Sequence, residues 1–179
     1  MPDFAAEYAT RCGQPTDISL HLPFLHDNAH DATVIELGVR TGNSTAAFLA
    51  AGADVWSADT EAPAVPAQWH ENPRWHFLCG DDLNPDILDG LPAEVDVVFI
   101  DTVHTYDHTL AELRAYAPRA RLVLLHDTQW VDGRDAGSPA GPVARALDDY
   151  CAETGLTWEN RPGSYGMGYI RVQLGHAVI

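Results

Sequence analysis

The 179-residue chain carries 26 acidic side chains against ten basic ones, a net charge of −16, and every one of the ten is arginine. So acidic a surface repels phosphate backbones, which argues against nucleic acid and anionic membranes as partners. The length suits one domain with a full core, so residues 1–179 are read as a single domain. No apolar run approaches the ~20 residues of a membrane helix, and Met1-Pro2-Asp3-Phe4 lacks the basic and apolar regions of a signal peptide. Cys12, Cys79 and Cys151 are few, odd in number and widely spaced. They read as core or incidental thiols in a reducing cytoplasm, not as a disulfide framework or a zinc knuckle.

Residues 3–12 have a loosely helical pattern (Phe4, Ala5, Tyr8, Ala9). Thr16 or Asp17 is placed to cap a second helix through Ile18, Leu20, Leu22, Phe24 and Leu25, with Pro23 interrupting or kinking it. Residues 1–30 are therefore expected as a helical cover, over the sheet or across a ligand mouth. The stretch Thr33–Thr45 then organises the rest. Val34, Ile35 and Leu37 form a buried strand, Gly38 and Gly42 bracket a tight turn, and Asn43, Ser44 and Thr45 are suited to cap a helix through Ala46, Ala47, Phe48 and Leu49. The glycine spacing is G-x-x-x-G, not the G-x-G-x-x-G of dinucleotide enzymes, and Val39-Arg40 leaves less room for a pyrophosphate. Glu36, at the strand end, is an acceptor for a ligand's hydroxyl or amino groups. An ordinary strand–turn–helix would use the same two glycines.

Ala53–Asp59 reads as the second strand. Asp59 lies about twenty residues past the glycine loop, where doubly wound folds place a carboxylate for ribose hydroxyls. Pro63 and Pro66 start a short helix or loop. Trp75–Cys79 is the third strand, followed by Gly80-Asp81-Asp82, and Asp81 is an acceptor for an adenine amino group. Val95–Ile100 is a continuous apolar strand broken only by Asp96, and it ends in Asp101. A helix from about Asp107 to Tyr116 turns Leu110 and Leu113 to the core before Pro118 stops it. Leu122–Leu125 is the fifth strand, ending in His126-Asp127-Thr128.

Residues 128–141 hold Gly133, Gly137, Pro139 and Gly141 around Trp130. That is too long and glycine-rich for a plain connection, and it reads as a candidate lid over a substrate. Pro142 opens a helix through Val143, Ala146, Leu147, Tyr150 and Cys151. Leu156–Glu159 and Tyr165–Leu174 make an antiparallel hairpin. The expected fold class is α/β, a Rossmann-like doubly wound, mostly parallel sheet with a C-terminal antiparallel hairpin. Asp101, His104, His126 and Asp127 all fall at C-terminal strand ends, the crevice side of such a sheet.

Glu36-Leu37-Gly38 through Gly42 and Ser44 resembles the first motif of class I S-adenosylmethionine (SAM)-dependent methyltransferases. Phe99-Ile100-Asp101-Thr102-Val103-His104-Thr105-Tyr106, Leu125-His126-Asp127-Thr128 and the closing Gly163-Ser164-Tyr165-Gly166-Met167-Gly168-Tyr169 resemble the small O-methyltransferase branch. The likeness runs from about residue 16 to 173 and rests on the order and spacing of these motifs. It implies that Glu36, Gly38, Gly42 and Ser44 line the methionine and ribose part of SAM, and Asn43 counts with them as cofactor-binding. It also implies that Asp59 holds the ribose hydroxyls and Asp81 the adenine. In catechol-type and macrolide-sugar O-methyltransferases the acid ending strand four binds a divalent metal, matched by Asp101. The base follows three residues on, matched by His104, and further ligands end strand five, matched by His126 and Asp127. His126 departs from the pattern, because Mg²⁺ prefers oxygen while imidazole suits softer ions; Mg, Mn or another divalent ion is the expectation.

The chemistry asks for alignment of a nucleophile with the methyl group and removal of its proton. A histidine of ordinary pKa, ~6.5, is neutral at pH 7 and suited to take it. With no lysine present, His104 is the candidate base and Asp101 its catalytic companion. The reading is thus O-methylation of a small-molecule acceptor, a hydroxylated natural product among the options, by a cytoplasmic enzyme whose oligomeric state, homodimer included, stays open. Two other readings stand beside it: a SAM-binding partner protein without catalysis, and a metal-dependent hydrolase or oxygenase using Asp101, His104, His126 and Asp127.

Overall fold

In the computed structural model, residues 2–130 and 141–172 are described. Helices α1 (Phe4–Cys12) and α2 (Leu22–Asp27) precede strand β1 (Thr33–Leu37), helix α3 (Asn43–Ala50), strand β2 (Asp54–Asp59) and strand β3 (Trp75–Cys79). Then come α4 (Pro85–Gly90), β4 (Val95–Ile100), α5 (Tyr106–Tyr116), β5 (Ala120–His126), α6 (Pro142–Thr154), β6 (Trp158–Arg161) and β7 (Met167–Arg171). The strands form one seven-stranded sheet in the order β3-β2-β1-β4-β5-β7-β6. The first five are parallel, and β7 inserts antiparallel between β5 and β6. This is the doubly wound sheet with a terminal hairpin that the sequence pattern predicts.

The central strands β1, β4 and β5 are largely apolar on both sides because both faces are covered. Along β4 and β5 the side chains alternate between two cores. Val97, Phe99, Leu122 and Leu124 meet α1, α2 and α3 through Phe4, Leu22, Leu25 and Phe48. Val98, Ile100, Val123 and Leu125 meet α5 and α6 through Leu113, Tyr116, Leu147 and Tyr150. Asp96, the one acid inside β4, accepts the Thr33 backbone N–H at 3.0 Å, so it ties the start of β1 instead of disturbing the core.

Three local expectations change. Pro23 does not break the second helix but sits in its first turn; α2 starts at Leu22, later than the Thr16 or Asp17 cap predicts, because proline lacks only an N–H that a first turn leaves unpaired anyway. Asn43, Ser44 and Thr45 do not cap α3. Gly42 holds the cap position at φ 73° with no side-chain cap bond, and the Ser44 and Thr45 hydroxyls turn inward to Glu36. Helix α4 was not expected, yet Asn84 caps it by accepting from Asp86 N–H at 2.9 Å and Pro85 follows in the first turn, an Asn-Pro start legible in the sequence. Residues 131–140, most of the candidate lid, lie outside the described residues.

Candidate active site

The sheet order reverses between β1 and β4, and an open α/β sheet leaves a crevice beyond the carboxyl ends of its strands at such a point. Gly38 and Asp101 are the residues that follow these two strands. Gly38 has φ 86°, and a Cβ there would stand 2.1 Å from the Asp101 carbonyl oxygen. Only glycine lets the two chains approach so closely. A cavity of about 360 Å³ opens on one side, lined among others by Gly38, Asp59, Gly80, Asp81, Asp82 and His108. A second, of about 220 Å³, is lined by Asp17, Gly38, Arg40, Asn43 and Ser44. Gly38, Arg40 and Asp101 line both.

Asp59 braces the glycine loop from outside. Its Oδ2 accepts the N–H groups of Val39 and Arg40 at 2.8 and 3.1 Å, and its Oδ1 accepts that of Glu61 at 3.0 Å. Arg40 in turn pairs with Asp17 at 3.0 Å, which draws the segment before α2 to the rim of the smaller cavity. Gly42 lines neither cavity. A Cβ there would meet Val65 and Trp69 within 2.8 Å, so it is a packing position.

Glu36 is fully buried. Its carboxylate accepts from Ser44 at 2.6 Å, from Thr45 at 2.8 Å and from Ser57 at 2.6 Å. Burial pushes its pKa up to about 7 against the lowering effect of the three hydroxyls. The expectation of Glu36 as a direct ligand contact is corrected: its oxygens face the protein, and it acts on the loop by anchoring α3 to β1 and β2.

Asp101, His104, His126 and Asp127 do converge. His104 Nε2 lies 2.8 Å from Asp127 Oδ2 and 3.4 Å from Asp101 Oδ1. His126 Nδ1 lies 3.1 Å from Asp127 Oδ2 and 3.5 Å from Asp101 Oδ1, while its Nε2 lies 2.8 Å from the Ser164 carbonyl oxygen. Both nitrogens of His126 thus face only acceptors, which favours the doubly protonated ring. Burial would lower its pKa, but the bonds to Asp101 and Asp127 raise it to about 10. His104 follows the same pattern: burial opposes, Asp101 and Asp127 prevail, and the pKa rises to about 9. Burial raises the carboxyls, yet the two imidazoles hold Asp101 below, and Asp127 well below, the usual range. Asp127 takes this position at φ 63°, a left-handed backbone conformation uncommon outside glycine. Trp130, the last described residue before 131–140, sets its ring 5.5 Å from that of His104.

Two expectations about this cluster change. Both nitrogens of His126 are turned to acceptors, Nδ1 to Asp101 and Asp127 and Nε2 to the Ser164 carbonyl, so the candidate ligand set narrows to Asp101, His104 and Asp127, one atom from each within 4.8 Å of the others. No oxygen of Asp101 or Asp127 is a buried atom without a partner, and two carboxylates facing two imidazoliums balance their own charge. As arranged, the set does not call for a divalent ion. Nor is His104 the unperturbed histidine of the sequence reading; at pH 7 it is mostly protonated. The sequence reading also missed Asp82, His108 and Glu112, which cluster at the wall of the larger cavity. The signal was present: His108 and Glu112 stand four apart on one helix face.

Residues 35–128, just over half of the chain, match the family model of a methyltransferase domain. No curated protein matches the sequence. Among solved structures, a Podospora anserina methyltransferase with bound S-adenosylhomocysteine (SAH) is similar at 18% identity and a TM-score of 0.66, over 97% of this chain and 89% of that one. A Bacillus cereus O-methyltransferase in complex with SAH matches at 15% identity and 0.61, over 96% and 92%. A Burkholderia thailandensis N1-methyltransferase of 1,6-didemethyltoxoflavin, with that compound and SAH bound, matches at 16% and 0.63, over 94% and 85%. At these identities the likeness concerns the fold. Among the described residues, no helix is long and apolar enough to cross a membrane.

Proposed function

The chain belongs to the methyltransferase-domain family, and from that premise we propose that it moves a methyl group from SAM to a hydroxyl oxygen of a small molecule. The observation that carries this reading is the junction at Asp101, where two cavities at the carboxyl ends of β1 to β4 meet a His–Asp cluster. The cavities fit a cofactor with two arms. Asp59, Asp81 and Gly80 would hold the adenosine arm in the larger one. Gly38, Asn43 and Ser44 would hold the methionine arm in the smaller, beside the first turn of α3, where backbone N–H groups lack helical partners.

Bound there, SAM supplies an electrophilic methyl group on a positively charged sulfur. The chain's part is alignment and proton removal. Asp101 and Asp127 both face Nε2 of His104, so together they hold its N–H, an arrangement in which carboxylates fix the tautomer and orientation of a basic imidazole. In its neutral form, His104 then takes the acceptor's hydroxyl proton at Nδ1 as the new bond develops. Asp101 keeps the ring in place, and the His126 imidazolium keeps Asp101 and Asp127 ionised. Trp130, beside His104, limits water there. An oxygen acceptor is favoured over nitrogen because a neutral amine already offers a lone pair and has less use for so placed a base.

No step is assigned to a metal. The test is calorimetric titration with SAM and SAH, followed by methyl transfer to a panel of phenols, sugars, carboxylates and amines, read as SAH release. Binding of both ligands, with turnover on hydroxyls that falls roughly 10²–10⁴-fold in His104→Ala, is expected. No binding of either ligand refutes the reading, and so does turnover confined to amines.

A further inference from the structure

The second cluster of ionisable groups differs from the first in charge and spacing. Asp82 follows β3, and His108 and Glu112 lie one turn apart on α5. One ligand-type atom from each lies within 4.8 Å of the others. Asp82 is 6% exposed and Glu112 is fully buried. Asp82 Oδ2 and Glu112 Oε2 are buried polar atoms without a hydrogen-bond partner. Two buried carboxylates share one imidazole, so the group stays one positive charge short of balance even with His108 protonated. Bare carboxylates in such a place are costly, and a proton or a cation must stand between them.

The distances leave room for a cation, and the two unpartnered carboxylate oxygens, which have no counterpart on Asp101 or Asp127, set this cluster apart. His108 Nε2 is 3.3 Å from Asp82 Oδ1 and 3.5 Å from Glu112 Oε1, long for hydrogen bonds, which cluster at 2.7–3.2 Å. Ligands 2.0–2.2 Å from a tetrahedral zinc ion stand about 3.3–3.6 Å from one another. The other bonds of the cluster hold the donors in place: Thr102 Oγ1 donates to Glu112 Oε1 at 2.5 Å, and the Tyr116 hydroxyl donates to the Asp82 carbonyl. One imidazole with two carboxylates suits a divalent transition ion better than Mg²⁺.

We propose that Asp82, His108 and Glu112 form a divalent transition-metal site, with zinc the best-fitting ion, which ties the loop after β3 to α5 at the wall of the larger cavity. Its three protein ligands leave a fourth position for water or a cavity ligand. The site stands on these residues alone and does not depend on the methyltransferase reading. The ion acts on the cavity by fixing Gly80-Asp81-Asp82, three of its lining residues.

The test uses the untagged 179-residue chain stripped of metal, titrated with zinc(II) by calorimetry and with cobalt(II) by its visible absorption. One ion per chain is expected, with a rise in melting temperature on loading. His108→Ala and the near-isosteric Glu112→Gln should each weaken binding by more than the ~10–100-fold typical of groups that only support a ligand. His104→Ala should keep the ion, as should His30→Ala in the exposed group of His26, Asp27 and His30. His108 is part-exposed, at 22% of its side chain, and circular dichroism of His108→Ala confirms that a lost ion is not a lost fold. No bound ion would mean a shared proton only and would overturn the proposal. Binding that survives both His108→Ala and Glu112→Gln would overturn it equally.

Discussion

The pKa of His104 is the most exposed point of the proposed mechanism. Its ring sits 2.8 Å from Asp127 and 3.4 Å from Asp101, and against the effect of burial these carboxylates raise it to about 9. With that value only about 1% of the molecules carry a neutral His104 at pH 7. The fraction grows tenfold per pH unit until the curve flattens near pH 9. A raised histidine is protonated at low pH, so the base form is gained, and the ion pairs with Asp101 and Asp127 are lost, as pH rises through about 9. Turnover should therefore climb with a slope near one from pH 7 and level off above it. Asp127→Asn removes the closer carboxylate, and the loss of an opposite charge at this distance moves a pKa by roughly 1–3 units. The rising limb should shift to lower pH by that amount even as the maximal rate falls. The assay needs no known acceptor in its first form: the imidazole carbon–proton signals are followed by NMR across pH 5–11, and His104→Ala assigns the resonance among nine histidines. A His104 that titrates near 6.5, or one that ignores Asp127→Asn, refutes the reasoning.

Glu36→Ala strands three buried hydroxyls, those of Ser44, Thr45 and Ser57, and should cost roughly 3 kcal/mol or more in urea denaturation, since each buried polar group left unsatisfied costs about 1–3 kcal/mol. Gly38→Ala forces a Cβ against the Asp101 carbonyl at positive φ; overpacking of about 1–3 kcal/mol should appear in thermal melts, together with loss of SAH binding by calorimetry. Asp59→Ala frees the N–H groups of Val39 and Arg40 and should weaken SAH binding about 10–100-fold with little change in melting temperature; unchanged affinity would remove Asp59 from the cofactor site.

Much of the fold was legible because strand and helix periods differ. β3 and β4 end where their apolar runs end, and β4 carries side chains to two covered faces. The Gly38–Gly42 loop marked the crevice because close backbone approach at the switch point demands glycine. What stayed hidden depends on direction, which a sequence does not carry. Glu36 falls at the end of a strand, like a ligand-binding acid, but its side chain points inward to three hydroxyls. His126 stands beside Asp127 in the chain, like a metal ligand, but its ring is sandwiched between carboxylates and the Ser164 carbonyl. Asp82 lies 26 residues before His108, and only the docking of α5 beside the loop after β3 joins them.

A chain with no lysine and a net charge of −16 has to place its few positive charges with care, and the Asp101–Asp127 pair shows why histidine serves at 104. Two ionised carboxylates raise the pKa of whatever cation they hold. A lysine starts at ~10.4 and would be pushed further from neutrality, out of reach as a base. A histidine starts at ~6.5, and burial works against the carboxylates, so it stops at about 9. The second imidazole, His126, raised to about 10 by the same two carboxylates, supplies positive charge from a position that is 1% exposed. It offsets one carboxylate and so limits how far His104 is raised. With both rings charged the cluster is neutral. When His104 gives up its proton, the cluster carries one net negative charge beside the cavity where the sulfonium is proposed to lie. The form of the site that can accept a proton is therefore also the form that attracts a positively charged methyl donor.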